Sequence, residues 1–188
     1  MKIHKATKRL ISYAIYDAAQ RGKGVLTADH LLLGLFREDF PLVDSVTEQF
    51  QVNSFMVLDK VLRQNPEFEN VIDEAHVELG PESREVLALS ELEAKRFGNN
   101  FLRVEHVFLG LLNFKKHLFN EFLLEREFAL EKVRRIISIL RFGGTIPQSD
   151  ETYELDESTW LELDFINDVR FRNEILDVAL LRLFKHYR

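Results

Sequence analysis

Asp29-His30-Leu31-Leu32-Leu33-Gly34-Leu35 returns 76 positions later as Glu105-His106-Val107-Phe108-Leu109-Gly110-Leu111. The match extends outward from this stretch without a gap. Ala18, Gly22 and Leu26 return as Ala94, Gly98 and Leu102, and Val57 and Val61 return as Val133 and Ile137. Residues 10–62 and 86–138 are therefore one supersecondary unit written twice. A unit of this size cannot bury its apolar face alone, so the two copies are expected to pack together. Function is to be sought where both copies present equivalent residues.

Around the repeated stretch the periodicity is helical. Leu10, Ile11, Ala14, Ile15 and Ala18 recur at the spacing of one buried helix face, which predicts a helix over 6–21 that Gly22 and Gly24 stop. Thr27 is placed to cap the next helix, 28–37. Pro41 lies just inside a further helix, 42–50, and Val52-Asn53-Ser54 opens a fourth, 55–63. The second copy predicts helices over 82–97, 104–113, 116–126 and 130–141, the last closed by Gly143-Gly144 and Pro147. Strand signals are weak, and the best short candidates are Val25-Leu26 and Phe101-Leu102. The expected fold is all-α: two pseudo-symmetric four-helix repeats, about 3–64 and 81–142. A linker, 65–80, joins them. Gly34 and Gly110 sit inside apolar helical runs, where glycine costs up to about 1 kcal/mol against alanine. A duplicated cost points to a duplicated close approach between helices. The phenylalanines at 114, 119, 122 and 128 are expected in the core.

Composition removes several function classes. A net charge of −6, with no basic stripe interleaved by aromatics, gives no support to general nucleic-acid binding. With no cysteine there is no disulfide, thiolate metal site or cysteine nucleophile. No stretch reaches the 18 or more apolar residues of a membrane-spanning helix, and Met1-Lys2-Ile3-His4-Lys5 lacks the apolar core of a secretory signal. The expected location is the cytoplasm. There is no phosphate-binding Gly-x-x-x-x-Gly-Lys-Ser/Thr loop and no Gly-x-Ser-x-Gly nucleophile turn. No metal or cofactor is expected, and the chain is not expected to be an enzyme. A hydrolase would need an acid pair about 5–9 Å apart across an apolar cleft.

Residues 145–188 belong to neither copy. Asp150 to Asp168 holds eight acids and no Lys or Arg, broken by Trp160, Leu161, Leu163 and Phe165. Ile175, Leu176, Ala179, Leu180, Leu183 and Phe184 then predict an amphipathic helix. Two readings stay open for this extension: a terminal helix docked on the repeat body, or a tail that binds a partner or occludes a groove.

The doubled acid-His-Leu-Leu-Leu-Gly-Leu element, each copy preceded by a helix ending at Gly22 or Gly98 and followed by a second helix pair, resembles the Clp N-terminal domain. The likeness is closest to that domain in ClpC-like AAA+ unfoldases and covers about residues 3–142. Glu93-Ala94-Lys95-Arg96-Phe97-Gly98 also resembles the family's helix ending. The resemblance implies a non-catalytic protein-recognition module whose partners are Clp ATPase or protease subunits, adaptors or substrate proteins. It further implies that the motif acids, here Asp29 and Glu105, form pockets for the guanidinium of phosphorylated arginine on marked substrates. Charge-assisted bidentate bonds suit a carboxylate to that task. This chain departs from the pattern at several points. Asp29 replaces a glutamate, and Ala28 and Val104 replace the threonine before the acid. His4 and Gly80 stand where the family often places a threonine for the phosphate.

The candidate binding residues are thus Asp29, Glu105, His4 and Thr27. The competing reading of the two acids is electrostatic, because carboxylates in a helix's first turn gain about 0.3–1 kcal/mol from its dipole. His30 and His106 fit packing and hydrogen bonding beneath a helix start better than a metal site, for which no ligand spacing exists. Two other functions remain open: an accessory subunit that regulates or stabilises a Clp core complex, and a peptide or small-molecule sensor with a self-occluding tail.

Overall fold

The computed structural model describes residues 1–66, 70–114 and 130–142. The predicted helix over 116–126, the phenylalanines at 119, 122 and 128, and the whole extension 145–188 lie outside the described residues. In chain order the elements are β1 (Lys2–Ile3), α1 (Lys5–Gln20), β2 (Val25–Leu26), α2 (Ala28–Glu48) and α3 (Ser54–Gln64). After a single 3₁₀ turn, Glu74–His76, come β3 (Glu78–Leu79), α4 (Pro81–Arg96), β4 (Phe101–Leu102), α5 (Val104–Asn113) and α6 (Leu130–Phe142). The fold is all-α, with four two-residue strands among the described residues.

Helix ends follow local chemistry, twice over. α1 and α4 both close in a Schellman motif. Lys23 N–H reaches Ala18 O and Gly22 N–H reaches Ala19 O, while Asn99 reaches Ala94 and Gly98 reaches Lys95. Gly22 and Gly98 take φ of 63° and 64°, the left-handed conformation that this ending needs. The two helices predicted over 28–37 and 42–50 are one helix broken at Asp39, whose φ of −146° and ψ of 59° are not helical. Asp39 Oδ1 accepts from Leu42 N–H at 3.3 Å, so the break is a capped restart just before Pro41. Asn53 caps α3 through Phe55 N–H at 2.9 Å.

α1 packs on α2 and α4 on α5, and among the described residues these are the two most extensive helix contacts; α2 and α5 join the halves. The close approach expected at the duplicated glycines is present in both copies. A Cβ at Gly34 would fall on the Leu10 carbonyl oxygen and lie 3.1 Å from Ala14 Cβ. At Gly110 it would fall on Ser90 Oγ, 2.6 Å from the Val86 carbonyl oxygen. Leu10 and Val86, like Ala14 and Ser90, are themselves equivalent positions. One continuous core results, running from Leu10 and Leu32 through Phe108 to Phe114 and Ile137.

The strands exchange between repeats. β1, ahead of the first repeat, pairs in parallel with β4 of the second (Lys2 with Phe101, Ile3 with Leu102). β3, in the stretch predicted as linker, pairs in parallel with β2 of the first (Val25 with Glu78, Leu26 with Leu79). Each exchange is completed by one further bond, His4 N–H to Leu102 O at 2.9 Å and Gly80 N–H to Leu26 O at 3.0 Å. The start of α4 is thereby held against the start of α2.

Candidate functional site

Asp29 lies in the first turn of α2, half-buried. It lines a cavity of about 420 Å³ with Lys23, Gly24, Thr27, Asn65 and Glu82. The walls come from three places. Gly22–Gly24 is the Schellman turn after α1, Asn65 is the residue after α3, and Glu82 is in the first turn of α4. Two carboxylates and two helix N-termini, one from each repeat, therefore face one space. Each acid sits where the dipole of its own helix favours it.

A buried polar chain sets the floor. Asp17, 3% exposed, pairs with Arg37 at 2.7 Å and with Arg21 at 3.8 Å. Arg21, 4% exposed, donates from a terminal guanidinium nitrogen to the Asn65 carbonyl oxygen. Asn65 Nδ2 donates onward to Asp29 Oδ2 at 2.8 Å and to Val61 O at 3.1 Å. Asp29 is thus held by a side chain that is itself fixed, which is the arrangement that keeps a binding carboxylate in place.

Thr27 is the N-cap of α2, as expected, and shares a capping box with His30. Its backbone N–H donates to His30 Nδ1 at 3.1 Å, and its hydroxyl lies 2.9 Å from the same nitrogen. His106 does the same in the second copy, accepting from Arg103 N–H at 3.0 Å. The duplicated histidines are therefore helix-start residues, filling the place that Glu or Gln takes in a capping box. Both are fully buried. Burial lowers His30 to about 4, against the pull of Asp29, and burial lowers His106 to about 3, helped by Arg103.

The other two candidate residues fall elsewhere. Glu105 is in the first turn of α5 and only 7% exposed. His4 caps α1, its Nδ1 accepting from Ala6 N–H at 3.3 Å, on the exposed flank beside β4. Asp29 and Thr27 share the cavity; Glu105 and His4 do not line it. Glu82, Asn65 and Lys23 do line it, and sequence reasoning missed them. Glu82 was readable as a first-turn acid of the helix beginning near Pro81, but its place beside Asp29 depends on the strand exchange.

Residues 2–125 match the Clp repeat (R) N-terminal domain. The chain belongs to this family. Among relatives of this Clp repeat chain is the ATP-dependent Clp protease ATP-binding subunit ClpC of Staphylococcus saprophyticus, 27% identical over 116 residues. The same subunit of Staphylococcus aureus is 27% identical over 111 residues. Each alignment covers 59% of this chain and 13% of the relative, so the Clp repeat chain spans a small part of the ClpC length. A solved chain described as "Preliminary structural investigations of a malarial protein secretion system" has the same fold. Its TM-score is 0.61 at 23% identity, covering 79% of this chain and all of that one. Family and relatives tie the chain to Clp systems. Among the described residues, no helix is long and apolar enough to cross a membrane.

Proposed function

We propose that this chain is a non-catalytic recognition module of a cytoplasmic, ATP-dependent Clp system, binding an adaptor or a substrate protein at the Asp29 cavity. Residues 1–144 form the recognition body, and 145–188 are an extension to it. The observation that supports this reading is the construction of the cavity. Its walls come from both repeats, and a buried polar chain holds its central acid, Asp29, to Asn65. Packing alone does not call for such an arrangement at the surface. Family membership supplies the Clp context.

The test is site-directed photocrosslinking in the intact chain inside cells. A photoreactive residue at Lys23, on the rim of the cavity, is compared with one at Gln49, at the far end of α2. Crosslinks from Lys23 to a Clp ATPase, or to proteins whose degradation requires one, are expected. Equal yields from both positions, or no Clp-dependent product from Lys23, would overturn the reading. Crosslinks to a protease ring alone would favour the accessory-subunit role.

A further inference from the structure

α6 is bound to the body by one side only. Val133 and Ile137 enter the core, and Arg134 Nε donates to the fully buried Glu93 at 2.8 Å. The last residue, Phe142, packs against the rings of Phe97 at 4.9 Å and His106 at 5.8 Å, so the chain leaves the body at a fixed point. The opposite side carries Lys132, Arg135, Ile136 and Ile139, at the spacing that puts residues on one helix face. Ile139 is 64% exposed and the adjoining Leu140 47%. The acid on this side, Glu131, is engaged by Arg134. The face is therefore positive toward its start and apolar toward its end.

The same face of the first repeat is built differently. α3 is the counterpart of α6, and both bury equivalent residues, Val57 and Val61 against Val133 and Ile137. On the outside, Arg135, Ile136, Ile139 and Leu140 correspond to Asp59, Lys60, Arg63 and Gln64. Arg63 there pairs with Asp59 at 2.9 Å along the helix, leaving that face polar and neutralised from within. The repeat fold thus does not require apolar residues or free positive charge at these positions. Both occur in the repeat from which the chain continues into residues 145–188.

We propose that the outer face of α6 is covered by the acidic segment of the same chain, residues 150–168. Its apolar side chains would lie over Ile136, Ile139 and Leu140, and its carboxylates would face Lys132 and Arg135. Charge complementarity selects the segment: it has eight acids and no Lys or Arg, with Trp160, Leu161, Leu163 and Phe165 among them. The stretch that follows, 169–188, has five Lys or Arg against two acids, so a positive face disfavours it. The length of chain allows the contact. Seven residues, 143–149, separate Phe142 from Asp150. The eight steps between them span up to roughly 26–29 Å. α6 is only about 20 Å long, so the chain can turn back at Gly143-Gly144 and run beside it. So short a tether gives an effective concentration on the order of millimolar, which places the chain's own segment ahead of a second copy. No residue of α6 lines the Asp29 cavity, so this contact stands or falls apart from the recognition reading.

The test uses the full chain, which has no cysteine and a single tryptophan, Trp160. A chain carrying Ile139→Cys and Leu161→Cys is treated with a short bismaleimide crosslinker. The link within one chain should form at least about tenfold faster than in a chain carrying Arg63→Cys and Leu161→Cys, where the face on α3 is the equivalent one. Ile139→Cys with Leu180→Cys should be as slow as that control. Acrylamide should quench Trp160 no more than about half as steeply as it quenches a free peptide of residues 150–168, because a packed indole is shielded. Arg135→Glu should raise the quenching toward that of the peptide and shift the emission to the red, with thermal melting confirming that the body folds. Equal linking rates from Arg63→Cys and Ile139→Cys, or faster linking to Leu180→Cys than to Leu161→Cys, would each overturn the proposal. So would a Trp160 as quenchable as in the peptide. Links formed only between two chains would assign the face to a second copy and overturn it as well.

Discussion

Gly34→Ala should destabilise this protein, although alanine is the better helix former. In an unobstructed helix interior the change would stabilise by roughly 0.5–1 kcal/mol. Here the added methyl would meet the Leu10 carbonyl oxygen, a main-chain atom of α1, and Ala14 Cβ at 3.1 Å. Neither can rotate away. Ordinary contact would be restored only if α1 and α2 parted by roughly 1 Å, and a gap of that size forfeits about a quarter to a half of the dispersion energy of the atoms it separates. Those atoms belong to one of the two most extensive helix contacts, lined by Leu10, Ile11, Leu31 and Leu35, all fully buried. Overpacking of this kind costs about 1–3 kcal/mol. A methyl driven onto a main-chain oxygen belongs in the upper part of that range, about 2–3 kcal/mol, so subtracting the propensity gain leaves a net loss of about 1–2.5 kcal/mol, or a Tm lower by about 2–10 °C for a chain of this size. Urea unfolding should show a lower midpoint at unchanged m-value. Gly24→Ala is the control, because the nearest atom to its Cβ is His76 O at 3.9 Å and its φ is not left-handed. It should move stability by no more than about 0.5 kcal/mol. A Gly34→Ala protein as stable as the parent, or more so, would refute the close-approach argument, and with it the argument for Gly110.

Three further outcomes follow from the same contacts. His30 and His106 titrate at about 4 and about 3 when folded, below the ordinary 6.5 of the unfolded chain. The unfolded state therefore binds more protons below pH 6.5. Stability is complete above that value and is lost as pH falls toward 4, by up to about 1.4 kcal/mol per pH unit for each histidine. Urea midpoints from pH 7.5 to 4.5 should show this slope, and His106→Gln should reduce it by about half. Arg134→Met leaves Glu93 buried without its main partner and should cost about 3–5 kcal/mol, while adding Glu93→Gln should recover much of the loss; thermal unfolding of the single and double variants decides this. Gly80→Thr restores a residue type that the family resemblance implies, yet its Cβ would lie 2.6 Å from Val25 Cγ1 and 2.7 Å from Leu26 O. It should cost about 1–3 kcal/mol and speed hydrogen exchange at the Gly80 amide, which now bonds Leu26 O.

Much of the fold was legible because it is written in local signals, and written twice. Helix faces, the Gly22 and Gly98 endings and the apolar periodicity depend on residues within a few turns of each other. The repeat then says that the copies pack alike. The duplicated Gly34 and Gly110 even announce a long-range contact, since a residue that costs helix stability in both copies needs a steric reason. Lys2-Ile3 and Glu78-Leu79 were not legible as strands. A two-residue strand has no periodicity, and it exists only through a partner some fifty to a hundred positions away.

The candidate site divides in the same way. Asp29 and Glu105 were found because they are equivalent in sequence, and the sequence by itself determined that each begins a helix. The tertiary structure alone decided that they differ. The strand exchange carries Glu82 to Asp29, and Asn65 returns from the end of α3 to hold it. In the second repeat Phe97 and Phe142 close around His106, and Glu105 is buried. Equivalent positions share backbone geometry, because local propensity and duplicated packing set it. Their chemistry depends on neighbours that the fold brings from distant and unequal parts of the chain.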